Sequence, residues 1–236
     1  AARLARYDAS RFAGKLLADL CGKPVIQHTY EKVHQSGLFD RVIIVTDSDE
    51  IDFVVTGFGG DVIRSQKEHD CGSDRIAEAV LNLDVDIVIN VQGDEPFIRP
   101  EGLSSLIQVF KSDQNQDVDL ASLMIPITEE INNPNVVKVI TDLSNRALYF
   151  SRSAIPHLRN QENHSTVYKH VGVYAFRKNA LIDFYDHDIT PLEEAEKIEA
   201  IRYLEMGKTI QMVETQFEGV GIDTVEDLER AKKLMD

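Results

Sequence analysis

Val85-Asp86-Ile87-Val88-Ile89-Asn90-Val91-Gln92-Gly93-Asp94-Glu95-Pro96 runs from an apolar segment into a glycine, two carboxylates and a proline. The apolar part is short, β-branched and nearly uninterrupted, the pattern of a strand buried on both faces of a parallel sheet. Gly93 permits a sharp turn and Pro96 cannot continue a ladder, so the strand ends here. Asp94 and Glu95 are thereby presented at the carboxyl end of a strand, the edge where open α/β sheets bind ligands. Taken alone, such a turn is more often a solvated acidic loop, and the rest of the chain has to decide.

Outward from this stretch, strand and helix signals alternate through the first half. A helix is expected over residues 24–35, with Pro24 suited to its first position, and a buried strand over 41–46 ending at Asp47. A short helix over 49–56, a short strand over 61–63, a helix over 73–82, the strand over 85–91 and a helix over 101–111 complete the series. Such alternation implies βαβ units and a parallel sheet. The second half reads differently, with strands at 120–126, 136–141, 147–150 and 169–176 separated by turns such as Asn132-Asn133-Pro134-Asn135. That clustering suggests a mixed sheet inserted or appended. Two helices are expected to close the chain, one opened by Thr190-Pro191-Leu192-Glu193 and one by Thr224-Val225-Glu226-Asp227, both of capping-box form. The chain starts Ala1-Ala2-Arg3-Leu4-Ala5, so the apolar strand that normally opens a parallel α/β fold is expected to be missing or altered.

The 236 residues carry 40 acidic and 25 basic side chains, a formal charge of −15. That argues against general nucleic-acid affinity, which rewards a basic face, but not against a small phosphorylated ligand held by a few local cations. Cys21 and Cys71 form no metal-ligand pattern and read as buried or inert thiols of a reducing compartment. No apolar run reaches the roughly 18 residues that mark a membrane span, and no signal peptide is visible, so no membrane insertion and a cytoplasmic location are expected.

Four groups could do chemistry. Arg6, Ser10, Arg11 and Lys15 place three cations and a hydroxyl within ten residues, an arrangement suited to polyphosphate although it is not a P-loop. His69-Asp70-Cys71-Gly72-Ser73-Asp74-Arg75 offers hydroxyl and guanidinium donors, though Ser-Asp before a helix is ordinarily only a cap. Gly219-Val220-Gly221-Ile222-Asp223-Thr224 puts Asp223 before a helix, where capping is the common explanation. The sharper reading pairs Asp223 with Asp94 as two carboxylates holding one Mg²⁺, which takes few protein ligands and keeps waters and phosphate oxygens. His170 and Tyr174, four apart on a strand, share a face with Arg152 nearby, a set suited to a carboxylate substrate; a lone strand histidine is more often structural.

Together these segments resemble the 3-deoxy-manno-octulosonate (KDO) cytidylyltransferases, also called CMP-KDO synthetases. The resemblance runs from about Ala5 to the carboxyl terminus. It rests on Ala5-Arg6-Tyr7 through Gly14-Lys15, residues 69–75, 90–96 and 133–139, Ala147-Leu148-Tyr149-Phe150-Ser151-Arg152, and residues 169–174 and 219–223. Each piece is modestly specific, whereas their order and spacing together are highly specific. The resemblance implies an α/β nucleotidyltransferase related to the GT-A fold, Rossmann-like, with a three-layer mixed sheet and a smaller sheet insertion. It implies one domain over 1–236, with a sugar-binding and dimerisation subregion at about 120–180, and a homodimer. The implied reaction is Mg²⁺-dependent transfer of CMP from CTP to the anomeric hydroxyl of KDO, releasing pyrophosphate, with the product feeding lipopolysaccharide synthesis.

By the same resemblance, Arg6 and Lys15 would grip the triphosphate, joined by Ser10 in the same loop, and Asp94 and Asp223 would bind Mg²⁺. Ser73, Arg75 and Gln92 would surround the cytidine, and Arg152, His170, Tyr174 and Glu199 would hold the sugar acid. The chain departs from the family pattern at several places. Ala13 and Leu16 stand where prolines are common, Ser73 replaces a threonine, Ala200 follows Glu199 where glutamine is usual, and Val225 replaces a helix-start proline. The departure at Ala200 leaves room for another acidic sugar, an 8-amino analogue of KDO or a sialic acid. The altered amino-terminal loop leaves room for a CTP-binding homologue with impaired catalysis.

Overall fold

The computed structural model describes residues 2–4, 12, 14–67, 69, 72–159, 166–216, 219 and 221–235. The chain divides into two compact units, Ala1–Ser104 with Gly219–Asp236, and Ser105–Glu218.

The first unit is built on a parallel sheet. Strand β1 (Ala2–Leu4) pairs in parallel with β4 (Ile43–Thr46) on one side and with β6 (Ile87–Gln92) on the other, Ala2 lying opposite both Ile43 and Asn90. β4 pairs in turn with β5 (Asp61–Arg64), so the order is β6-β1-β4-β5. Of the two expected alternatives, a missing or an altered first strand, the strand is present and only three residues long. Three residues paired on both edges make a strand through backbone hydrogen bonds, and the apolar signal sits in the neighbours instead: all four residues of β4 are buried. The chain runs outward from β1 to β4 and β5 and then crosses back to β6 on the far side of β1. The gap between β1 and β6 is therefore a switch point of the topology, where ligand crevices form at the carboxyl ends of strands.

Helices pack on this sheet as their periodicity dictates. Between a two-strand turn, β2 (Asp19–Leu20) with β3 (Lys23–Pro24), and β4 lies α1 (Val25–Gln35). Cys21, between β2 and β3, is exposed rather than buried. Pro24 is the N-cap of α1 rather than its first helical residue, and Val25, Ile26, Thr29, Tyr30 and Val33 form the buried stripe. Helix α2 (Asp49–Gly57) starts at Ser48, whose hydroxyl accepts from Ile51 N–H at 3.2 Å. Helix α3 (Gly72–Val80) and helix α4 (Pro100–Ser112) fall within two residues of expectation. The last helix, α8 (Val225–Met235), opens with the reciprocal box read from the sequence. Asp227 N–H donates to Thr224 Oγ1 (3.1 Å), and the Asp227 carboxylate accepts from Thr224 N–H (3.0 Å).

The second unit is a mixed sheet. Strand β7 (Leu120–Ile127) pairs antiparallel with β10 (Val167–Arg177) and in parallel with β11 (Ile210–Glu214). β8 (Lys138–Thr141) joins β10 and also β9 (Ala147–Ser151), both antiparallel. Helices α5 (Lys178–Tyr185), α6 (Pro191–Glu196) and α7 (Ala200–Glu205) follow β10. The expectation of only two closing helices missed α5, α7 and β11. Those helices are short, and α6 and α7 are tied to one another by a buried ion pair rather than by long periodic faces. Arg202 of α7 forks onto both oxygens of Glu193 in α6 at 2.6 and 2.7 Å, and Glu193 also accepts from Thr190 N–H.

Lys138 is fully buried and spends its three ammonium protons on the carbonyls of Asn133 (3.0 Å), Val136 (2.6 Å) and Arg152 (2.5 Å). Burial pushes its pKa down against the pull of Glu196. The lysine thus ties the 132–135 turn to the end of β9.

Candidate active site

The centre of the site lies in the first unit at the carboxyl edge of the parallel sheet. Gly93 follows β6 directly, and its carbonyl accepts from the Thr29 hydroxyl of α1 at 3.1 Å. Glu95 N–H donates to Gln92 O (3.3 Å) and Ile98 N–H to Glu95 O (3.1 Å), so the turn bearing Asp94 is fixed on both sides. Ile222 N–H donates to the Asp94 carbonyl at 2.9 Å, bringing in a segment 128 positions later in the chain (222 − 94). Ile222 itself is fully buried with Leu20, Val25, Leu228 and Ala231, so an apolar anchor holds the segment that carries Asp223.

Lys15 comes from a third place. Gly14 adopts φ 70°, a left-handed conformation suited to glycine, and opens a single 3₁₀ turn over Lys15–Leu17. The buried Lys15 ammonium donates to Asp223 Oδ1 at 2.8 Å and to Asp94 Oδ2 in a shorter contact. Burial opposes its charge, but the two carboxylates more than offset that and raise its pKa above the ordinary 10.5. Asp94 is largely shielded, its side chain 19% exposed, whereas Asp223 is half-exposed at 53%.

Two carboxylates that reach one ammonium nitrogen can reach one cation. The donors are hard oxygens, and among the described residues no three His, Cys, Asp or Glu side chains converge. Two protein carboxylates with the remaining positions left to water and phosphate is the ligand set that suits Mg²⁺.

Along the same edge, Asp47 follows β4 directly and receives Arg75 of α3 in a bidentate pair at 2.9 and 2.6 Å. Ser73 and Arg75 are both buried, and Gln92, the last residue of β6, is half-buried. Arg75 is therefore held in place by Asp47, a partner the sequence reading did not identify. Arg6 and Ser10 lie outside the described residues.

The four expected sugar-side residues lie in the second unit. His170 and Tyr174 are both buried, their ring centroids 5.2 Å apart, within a row that continues to Phe150 on one side and Phe176 on the other. The register of β10 against β7 shifts between Val171 and Tyr174, and Ser122 Oγ pins that bulge, 2.9 Å from Val173 O and 2.9 Å from His170 Nε2. Full burial drives the His170 pKa down to about 4, so at neutral pH the ring is uncharged. Arg152 spreads its guanidinium over the carbonyls of Pro134, Glu196 and Lys197 at 2.7 to 3.3 Å. Glu199, the N-cap of α7, is half-buried. Glu196, which the sequence reading did not single out, accepts from Ser151 Oγ (2.6 Å) and Arg152 N–H (2.8 Å). Glu196 was missed because its only sequence mark is one acid within an acid-rich helix.

Comparison with known proteins identifies relatives of the chain. A cytidylyltransferase family model matches residues 4–210. The 3-deoxy-manno-octulosonate cytidylyltransferase of Christiangramia forsetii is 58% identical, the match covering 98% of this chain and 94% of that protein. That of Flavobacterium johnsoniae is 56% identical over 98% of this chain and 96% of its own. Among solved structures, CMP:2-keto-3-deoxy-manno-octonic acid synthetase complexed with CTP superimposes with a TM-score of 0.93 at 38% identity, covering 99% of this chain and 96% of that one.

Two outcomes follow from the electrostatics. Lys15→Met leaves Asp94 and Asp223 facing each other, and urea denaturation at pH 7 should show a loss of about 1–3 kcal/mol, tempered by the exposure of Asp223. Because the folded-state pKa of Lys15 is raised, the wild-type advantage is fully present below 10.5 and shrinks as pH rises beyond it. His170 has the opposite sign. Unfolded, it takes a proton near 6.5, but folded only near 4, so stability should fall as pH drops through that window. In His170→Gln this part of the pH slope, on the order of 3 kcal/mol at most, should disappear from denaturation curves taken between pH 7 and 4.

Proposed function

Because the chain belongs to the 3-deoxy-manno-octulosonate cytidylyltransferase family, we propose that it transfers CMP from CTP to the anomeric hydroxyl of KDO and releases pyrophosphate. The observation that carries this reading is the convergence of Lys15, Asp94 and Asp223 at the carboxyl edge of the parallel sheet. Phosphoryl-type transfer asks a protein mainly for positioning and for charge placed where charge develops. The three residues meet that demand with an ammonium beside two hard-oxygen ligands.

Asp94 and Asp223 would hold Mg²⁺. When bound there, the ion supplies Lewis-acid stabilisation of the α-phosphoryl oxygens and lowers the pKa of the attacking hydroxyl, so that no separate side-chain base is required. Lys15, with Arg6 and Ser10 from the same amino-terminal segment, binds the β- and γ-phosphates and offsets their charge as pyrophosphate departs. Ser73, Arg75 and Gln92 serve the cytidine side, with Arg75 held rigid by Asp47. Arg152, His170, Tyr174 and Glu199 serve the sugar acid. Within that set, the neutral buried His170 and the ring of Tyr174 give shape, and Arg152 supplies positive charge toward a carboxylate.

We propose further that the protein works in the cytoplasm as a homodimer, its product destined for lipopolysaccharide synthesis. Among the described residues no helix is long and apolar enough to cross a membrane. Leu143 and Leu148, both strongly exposed and within the 120–180 stretch, support a role for that stretch in subunit contact.

The test is pyrophosphate release from CTP, Mg²⁺ and KDO, run beside a panel of other acidic sugars. Turnover should require KDO and fall by at least roughly 10³-fold in Asp94→Ala, with the circular dichroism spectrum unchanged. Wild-type turnover in Asp94→Ala would refute the metal-ligand role. Turnover only with another sugar acid would refute the choice of KDO.

A further inference from the structure

We infer that Glu95 is a positioning residue, acting through the glycine segment at 219–221 to hold Asp223 at the distance from Asp94 that one cation needs. The inference rests on the metal-binding reading above and concerns a carboxylate that the proposed reaction does not otherwise use.

Glu95 is the direct neighbour of Asp94, yet its side chain serves a different surface. Its carboxylate lies so close to the backbone of Gly219 that a Cβ there would stand 2.3 Å from Oε2 and 3.6 Å from Oε1. A Cβ at Gly221 would stand 3.3 Å from Oε1. Oε2 is buried. No side chain larger than hydrogen fits at 219 while the carboxylate keeps its place, so the glycine and the acid occupy that space as a pair. Asp223 is two residues beyond Gly221.

The other side of Asp223 is also fixed. Its N–H donates to Asp227 Oδ2 at 3.1 Å, and Asp227 is locked in the capping box of α8. Ile222, between the two, donates to the Asp94 carbonyl and buries its side chain. Among the described residues, Glu95 is the side chain packed against Gly219 and Gly221, on the amino-terminal flank of a half-exposed ligand. It lies on the turn that carries Asp94, so a single turn presents one ligand and braces the other. A carboxylate placed this way sets ligand geometry without touching the ion. Removing such outer supports weakens metal affinity by roughly 10- to 100-fold in known sites.

The test uses Mn²⁺ in place of Mg²⁺, with CTP present and no sugar acceptor, and reads bound metal by electron paramagnetic resonance. Glu95→Ala and Gly219→Ala should each raise the Mn²⁺ dissociation constant by roughly 10- to 100-fold. The double variant should bind no worse than the weaker single one, because a methyl group at position 219 has no carboxylate to displace once Glu95 is gone. Glu95→Gln, which keeps the shape, should recover part of the affinity and guards against loss of fold in the alanine variant. Steady-state assays should place the defect in the metal concentration giving half-maximal rate, with kcat at saturating metal changed far less. Unaltered Mn²⁺ binding in all three single variants overturns the inference, as does a double variant whose losses multiply. Wild-type protein that binds no Mn²⁺ beyond what CTP alone binds overturns the metal-binding reading itself.

Discussion

Two ionised carboxylates that converge within a few ångströms repel unless a cation or a shared proton offsets them. At an effective dielectric of about 20, two unit charges 4 Å apart repel by about 4 kcal/mol, a large fraction of a domain's whole stability. Lys15 meets that constraint in the first unit, and the surrounding structure reads as the means of assembling the trio. A parallel sheet delivers Asp94 at a strand end. A buried isoleucine and a capped helix deliver Asp223. A left-handed glycine and one tight turn deliver Lys15. The same constraint bears on the Mg²⁺ proposed for this site. A site offering only two protein carboxylates would favour an ion that arrives with waters and phosphate oxygens of its own.

The second unit solves a different problem. Besides the buried Arg202–Glu193 pair, it holds two titratable groups on neutral partners, Lys138 on three carbonyls and His170 on a serine, each shifted by burial toward its neutral form. Such groups tie irregular backbone, a turn in one case and a bulge in the other, to the sheet. If this unit takes the sugar acid as proposed, a ligand with a single carboxylate and many hydroxyls would call for fixed shape more than for strong charge.

Much of this was legible from residues alone, and the parts that were not share a cause. The 85–96 stretch announced a central strand and a ligand edge because its apolar run and its breakers are both local signals. The Thr224 box was readable for the same reason. β1 was not, because its identity as a strand comes from its two neighbours rather than from its own three residues. β11 was overlooked although Ile210 and Met212 alternate with polar residues, a pattern too short to stand out beside the helices. Asp94 and Asp223 could be paired only as an idea; their meeting depends on the buried Ile222, which no spacing rule encodes. The hold of Asp47 on Arg75, of Glu196 on Ser151 and of Glu95 on Gly219 are contacts between distant or unremarkable positions, and only folding makes them visible.

The most direct measurement is anomalous diffraction from crystals grown with Mn²⁺ and CTP. The account predicts an anomalous peak about 2.1 Å from an oxygen of Asp94 and an oxygen of Asp223 together, with the Lys15 ammonium moved off the carboxylates toward the phosphates. A metal peak that touches neither aspartate, or Lys15 still bridging the two carboxylates beside a bound metal–nucleotide complex, would contradict it.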